Sequence, residues 1–179
     1  RPALTTDAVL LLADDLAFTC EELDRAFDVW SKDPDRMVGF YTYDFVPNGS
    51  SASFGLGEIS RGKGRYSVVS DRAAFVHRSY LTSISAKAAT DAASEWSTKR
   101  ANESVARCDS YSLSLAVSSV SSKAPSAVAA EPLELRSASP SSSNDSSVSS
   151  SSAECLLGIS SALGMHVLPS EERVYVGTN

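Results

Sequence analysis

The first hydrophobic positions of the chain form a continuous run and then a helical pattern. Residues 8–12 (Ala-Val-Leu-Leu-Leu) are an unbroken apolar run of strand length, which is typical of a strand buried in a parallel sheet. Apolar side chains then recur at helical spacing at Leu23, Ala26, Phe27 and Trp30. This spacing predicts an amphipathic helix that places one face against the sheet.

The sequence also predicts where this helix begins and ends. Thr19 followed by Glu22 has the spacing of a capping box, in which each side chain satisfies a backbone N–H group of the other residue. Asp33-Pro34 closes the helix, and residues 37–41 (Met-Val-Gly-Phe-Tyr) predict the next strand. A strand, a helix and a strand in succession indicate an α/β fold.

The rest of the chain predicts further elements of one domain that covers residues 1–179. In order they are a long Gly-rich loop over 47–64, for which a loop with a short hairpin is the alternative, a strand over 65–70, the start of a helix over 73–81, a helical region over 85–121, a strand over 127–136 and a terminal helix over 153–168. Between the last two, 137–152 contains 11 serines among 16 residues. Such a segment cannot bury a core, so we expect it to be a disordered insert.

Composition and charge narrow the classes of function. The chain has 179 residues, of which 42% are hydrophobic, and this suffices for one domain with a core. Its net charge of -6 argues against a nucleic acid as the main partner. No apolar run approaches the roughly 18 residues that a membrane span needs, so we expect any membrane anchor to lie outside this chain.

Glycosylation motifs and cysteines suggest the compartment. Asn-x-Ser sequons occur at Asn48, Asn102 and Asn144, which is typical of proteins of the secretory pathway. The three cysteines allow one disulfide and one free thiol.

An acidic pair is the strongest chemical signal. Asp14 and Asp15 follow the carboxyl end of the strand predicted at residues 8–12, and open α/β sheets bind ligands outside such strand ends. Two carboxylates can hold a hard divalent ion that also binds substrate phosphates. The alternative is a solvated turn near a helix start, where negative charge is favourable in itself.

The sequence around this pair resembles the exostosin-like glycosyltransferases, glycosyltransferase family 64. Residues 6–15 resemble the segment that ends in the acidic triplet of that family, and the resemblance continues in several ordered segments. These are residues 27–30, 33–40, 65–69, 107–109, 154–155 and 163–165.

The resemblance implies a fold and an activity. It implies a GT-A type open sheet with helices on both faces, here incomplete at the N-terminus because the strand–helix units that carry the uracil site are missing. It also implies metal-dependent transfer of a hexosamine-type sugar from a UDP-sugar donor to a glycan acceptor, with manganese bound and with retention of configuration. The compartment would be the Golgi or endoplasmic reticulum lumen, within a membrane-anchored protein.

Roles carry over to the residues that match the family pattern. The resemblance implies that Asp15 binds the metal, that Asp14 lies near the ribose and sugar of the donor, and that Asp109 lies near the reacting centre. It further implies a disulfide between Cys108 and Cys155, which leaves the third cysteine free.

Departures from the family pattern keep a second hypothesis open. The first acidic residue of the triplet is Ala13, Ser110 replaces the second carboxylate after the cysteine, and Tyr41 to Tyr43 stand where an arginine is expected after Gly39. A serine cannot supply a fixed charge near neutral pH. The alternative is therefore a catalytically degenerate domain that binds glycans or stabilises a partner transferase subunit. A truncated gene product is a third interpretation.

Overall fold

The computed structural model describes residues 4–48, 51–56, 66–83, 87–92, 94, 109–128, 130, 133–134 and 146–164. The strands are β1 (Ala8–Leu12), β2 (Leu16–Ala17), β3 (Val38–Gly39), β4 (Thr42–Asn48), β5 (Ser51–Leu56), β6 (Val68–Val69), β7 (Ala73–His77), β8 (Ser126–Ala127) and β9 (Leu133–Glu134). The helices are α1 (Cys20–Lys32), α2 (Arg78–Leu81), α3 (Asp109–Ser121) and α4 (Ser146–Ala162). Residues 87–92 are also helical. The predicted α/β class is confirmed.

The main sheet has the strand order β1-β7-β3-β8. Strand β7 runs antiparallel to both β1 and β3, while β3 and β8 are parallel. The predicted parallel sheet is therefore a mixed sheet, in which β7 separates the two strands that flank α1 and is the one partner of β1 among the described residues. The prediction of a helix start at 73–81 is wrong for residues 73–77, which form β7, and a helix begins only at Arg78.

Strand β7 is difficult to recognise because both of its faces are covered. Its residues Ala73 to Val76 are all buried, so the sequence carries neither strand alternation nor a polar helical face. Phe75 packs with Ala26 and Trp30 of α1. Ala74 and Val76 belong to the opposite core with Val117 of α3. The predicted helices on both faces of the sheet are thus confirmed.

Helix α1 begins as its sequence predicts. The Thr19 Oγ1 atom accepts a hydrogen bond from the Glu22 N–H group at 3.2 Å, and Glu22 Oε2 accepts one from the Thr19 N–H group at 2.8 Å. Both halves of the capping box are therefore present. Ala26 and Trp30 are buried as predicted, whereas Phe27 remains 43% exposed.

A second sheet and its core flank the first. Strand β4 pairs with β5 and β6 in a three-stranded sheet. Part of the loop predicted at 47–64 is therefore the hairpin of β4 and β5. Residues 57–65 lie outside the described residues. Phe45 and Val68 of this sheet pack with Leu115 of α3 and with Leu156 and Ile159 of α4.

Helix α4 overlaps the serine-rich segment for which we expected disorder. Residues 146–152 form its first turns, while 137–145 lie outside the described residues. The helix is followed by Gly164 at a φ of 62°, a left-handed conformation that glycine adopts without steric cost. Among the described residues, no helix combines the length and the apolar character needed to cross a membrane.

Gly39 lies where the backbones of the main sheet approach one another closely. It lies in β3, where it is paired with Ala74 of β7 and Ala127 of β8. A Cβ atom at this position would lie 2.3 Å from Val69 Cγ1 and 2.8 Å from the carbonyl oxygen of Ala73. Only glycine fits here without displacing the neighbouring strands.

Candidate functional site at the end of β1

A tight turn places the two predicted acidic residues beyond the end of β1. The Leu16 N–H group donates a hydrogen bond to the Ala13 carbonyl at 3.3 Å, so Asp14 and Asp15 occupy the two central positions of the turn. Leu16 is buried and anchors the turn on the body of the domain. Asp14 is exposed, and the side chain of Asp15 is 35% exposed. The turn thus directs both carboxylates towards the surface.

A second turn, between β6 and β7, meets the first. The Ala13 N–H group donates to the Arg72 carbonyl at 2.7 Å, and the Arg72 N–H group donates to Ser70 Oγ at 3.2 Å. With the backbone held in this way, Arg72 Nη2 donates to Asp15 Oδ2 at 2.7 Å. The sequence suggests a local ion pair between Asp71 and Arg72, whereas the structure pairs Arg72 with a residue 57 positions earlier.

The Arg72 guanidinium also lies over an aromatic ring. Its central carbon is 5.8 Å from the centroid of the Tyr41 ring, within the distance of a cation–π interaction. Partial burial disfavours the charged form, but the hydrogen bond and the negative charge of Asp15 outweigh this effect, so the pKa of Arg72 is raised above its usual value. The site therefore contains a permanent positive charge beside its acidic pair.

Two tyrosines extend the site towards α3. The rings of Tyr43 and Tyr111 are in edge contact, with centroids 4.7 Å apart. Burial raises the pKa of Tyr111 far above its usual range, and Tyr43 raises it further through its charge and a hydrogen bond. Because Asp71 raises and Arg72 lowers this pKa as well, the phenol lies within electrostatic reach of the second turn. Tyr111 is thus a neutral hydroxyl group in contact with Tyr43.

The start of α3 is held against β6. Ser114 is buried, and its Oγ atom accepts a hydrogen bond from the Val69 N–H group at 3.1 Å. Asp109, the predicted catalytic residue, is the first residue of this helix, two positions before Tyr111. The backbone of Asp109 therefore begins a helix that is hydrogen-bonded to β6, the strand before the second turn.

The predicted disulfide is only partly within the described residues. Cys155 lies in α4 and is buried in the core that this helix forms with the second sheet. Cys20 is exposed and free. Cys108 lies outside the described residues.

Comparison with known proteins identifies the family of this chain. Residues 1–175 match the Glycosyl transferase family 64 domain. The chain belongs to this family. The resemblance in the sequence is thereby confirmed, and the domain is of the glycosyltransferase type.

Relatives of this family 64 domain include a named mannosyl transferase and two exostosins. It is 39% identical over 84 residues to glycosylinositol phosphorylceramide mannosyl transferase 1 of Arabidopsis thaliana, which covers 44% of this chain and 25% of the relative. It is 38% identical over 77 residues to Exostosin-1 of Drosophila melanogaster, with 43% and 10% covered. Identity to human Exostosin-like 2 is 36% over 85 residues, with 45% and 26% covered. The matched segment thus spans about a quarter or less of each relative.

The donor set at the two turns suits one kind of metal. Within the described residues, no group of three or more His, Cys, Asp or Glu side chains could enclose an ion. Magnesium and manganese are often bound by only one or two carboxylates, with the remaining positions filled by substrate phosphates and water. Asp14 and Asp15, adjacent and directed outward, fit that arrangement.

Sequence reasoning missed the basic and aromatic part of the site. Arg72 follows a short strand and has no local pattern that marks it as a site residue, because its partner is distant in the chain. In the sequence, Tyr41 and Tyr43 stand only where an arginine is expected, and Tyr111 lies in the helical region predicted over 85–121 without a pattern that marks it. Their proximity depends on the order of strands in the two sheets.

Proposed function

We propose that this family 64 domain is part of a GT-A type glycosyltransferase that uses a metal ion and a UDP-sugar. The observation that carries the proposal is the meeting of two turns at one end of β1. The acidic turn contributes two carboxylates, and the other turn contributes the Arg72 guanidinium that binds one of them. Tyr111 of α3, a neutral phenol, contacts Tyr43 of the second sheet. A diphosphate with a sugar attached presents the complementary groups, which are anionic oxygens and hydroxyls.

The residues divide the binding work between them. Asp15 holds manganese, and Asp14, the more exposed carboxylate of the turn, contacts the ribose and sugar hydroxyls of the donor. When bound, the metal stabilises the negative charge that develops on the leaving diphosphate. Because Tyr111 remains neutral, it can exchange hydrogen bonds with sugar hydroxyl groups without adding charge.

The names of the relatives support a sugar donor and a glycan acceptor. One of them is a mannosyl transferase, and another, from Oryza sativa, is named glucosamine inositolphosphorylceramide transferase 1. The second name favours a hexosamine-type sugar for the present chain. The acceptor is a glycan, and transfer retains the configuration of the sugar, as the family resemblance implies.

Catalytic competence depends on the start of α3. Asp109 begins this helix and is the carboxylate proposed to lie near the reacting centre, while Ser110 adds no charge there. Ser110 and Ala13 favour the second candidate function, a pseudo-transferase that binds a glycan or stabilises a partner transferase subunit. In both cases the donor site at β1 is the part to test first.

A disulfide between Cys108 and Cys155 is proposed to join the start of α3 to α4. It is supported by the burial of Cys155 and by the packing of α3 on α4 in one core. Such a bond stabilises a domain by about 2–4 kcal/mol. Alkylation under denaturing, non-reducing conditions followed by intact-mass measurement is expected to label Cys20 alone. Labelling of all three thiols would show that the disulfide is absent.

The sequons support a location in the lumen of the Golgi or endoplasmic reticulum, within a protein that is anchored outside this chain. Asn48 is the last residue of β4, at the tip of the β4–β5 hairpin. Connecting segments generally run over the surface of a domain, so a position next to the hairpin turn is compatible with glycosylation at that asparagine.

The test of the donor site is a calorimetric titration of UDP, with and without manganese, into the chain with its natural flanking sequence retained. We expect binding that requires manganese, because the acidic turn repels a diphosphate unless a cation lies between them. Equal binding without metal would contradict the metal-dependent site. The lack of binding under both conditions would favour the pseudo-transferase.

A further inference from the structure

The pairing of β1 with β7 creates two arginine–aspartate pairs, one at each end of the strands. At the beginning of β1, Arg78 Nη2 lies 3.2 Å from Asp7 Oδ1, and the Arg78 N–H group donates to the Asp7 carbonyl at 2.8 Å. At the other end, Arg72 Nη2 lies 2.7 Å from Asp15 Oδ2. The side chains of the two arginines are similarly exposed, at 45% and 43%.

The two pairs differ in their surroundings. The Asp7 side chain is 66% exposed and the Asp15 side chain 35%, so the second pair is more shielded from water and its attraction is less screened. Arg72 in addition rests on the Tyr41 ring, and the carboxylate that it holds is the one proposed to bind the metal. A guanidinium and a divalent cation compete for the same carboxylate oxygen.

We propose that Arg72 is a positioning residue that occupies the metal-binding carboxylate until the donor arrives. This inference rests on the proposed function. Without a nucleotide, Arg72 neutralises Asp15 and weakens the binding of a lone divalent ion. When metal and diphosphate enter together, Asp15 turns to the metal and the released guanidinium hydrogen-bonds a phosphate oxygen, an arrangement for which its planar fork is suited.

The role predicts opposite effects of one substitution on two ligands. In Arg72→Gln, the affinity for Mn²⁺ alone is expected to rise roughly threefold to tenfold, because a competing ion pair and a nearby positive charge are both removed. The affinity for UDP in the presence of saturating Mn²⁺ is expected to fall about tenfold or more, since a charge-assisted hydrogen bond is lost. Loss of a merely structural contact would weaken both.

The experiment measures Mn²⁺ binding by the electron paramagnetic resonance signal of the free ion, and UDP binding by calorimetry, in the chain with its flanking sequence. Arg78→Gln is the matched control, because it breaks the equivalent pair at the far end of the same strands, and we expect both affinities to stay within about twofold. Arg72→Lys retains the positive charge and is expected to recover part of the UDP affinity.

The outcomes separate this inference from the proposed function. Tighter Mn²⁺ and weaker UDP binding in Arg72→Gln support the inference, and so does Mn²⁺ binding that becomes measurable only in this variant. Mn²⁺ affinity equal to that of the wild type overturns the inference while the metal site stands. If neither wild type nor Arg72→Gln binds Mn²⁺, alone or with UDP, both the inference and the metal-dependent function are wrong.

Discussion

Replacing Asp15 by asparagine is expected to abolish manganese-dependent binding of UDP. The amide has nearly the same size but carries no negative charge, so its oxygen is a weaker ligand for a hard divalent ion than a carboxylate oxygen. Substitution of groups that only support a metal ligand already costs about 10–100-fold in metal affinity, so loss of the ligand itself is expected to cost roughly 100-fold or more. Calorimetry of UDP with saturating manganese measures the effect.

Asp7→Asn is the control for this variant. Asp7 pairs with Arg78 at the opposite end of β1, so the control loses a comparable partly exposed ion pair without touching the acidic turn. Such pairs contribute at most about 1 kcal/mol to stability, and both variants are expected to remain folded. If metal-dependent binding of UDP is undiminished in Asp15→Asn, residues other than Asp15 bind the metal.

Replacing Gly39 by alanine is expected to destabilise the domain by about 1–3 kcal/mol. The added methyl group would overlap Val69 Cγ1 and approach the carbonyl oxygen of Ala73 to 2.8 Å, and overpacking of a core has costs of this size. A backbone carbonyl cannot rotate away as a side chain can, so β7 must shift. Thermal unfolding is expected to show a lower Tm, by roughly 2–4 °C for each kcal/mol lost.

Gly158→Ala is a control of opposite sign. Gly158 lies in α4, and a Cβ atom there would meet no atom within 4 Å. Alanine in a helix is favoured over glycine by about 0.5–1 kcal/mol, so this variant is expected to unfold at a slightly higher temperature.

Gly39→Ala is also expected to weaken UDP binding, because Ala73, which the added methyl group displaces, directly follows Arg72. If the stability of Gly39→Ala equals that of the wild type, β3 and β7 are less tightly packed than the structure indicates.

The first part of the fold could be predicted from local patterns in the sequence. The apolar run of β1, the capping box at Thr19 and Glu22, and the helical spacing of Ala26 and Trp30 each act over a few residues. Their physical causes are therefore complete within a short stretch of sequence. The same holds for the acidic turn, whose position follows from the end of β1.

The elements and contacts that depend on long-range strand pairing could not be predicted from the sequence. Residues 73–76 are apolar without interruption because α1 covers one face of β7 and α3 the other. A run of this kind fits a buried strand or a buried helix equally well from periodicity alone. The partner of Arg72 was unpredictable for the same reason, since the contact with Asp15 requires β7 to lie beside β1.

The double coverage of β7 also restricts how this chain can change in length. One residue inserted between Ala73 and His77 would exchange the faces of the side chains that follow it, so that Phe75 could no longer meet Trp30 while Val76 meets α3. The same insertion would alter the distance between Arg72 and Arg78, which are held at opposite ends of β1. Length variation among natural versions of this domain is therefore expected at hairpin tips such as that between β4 and β5, and not within β7.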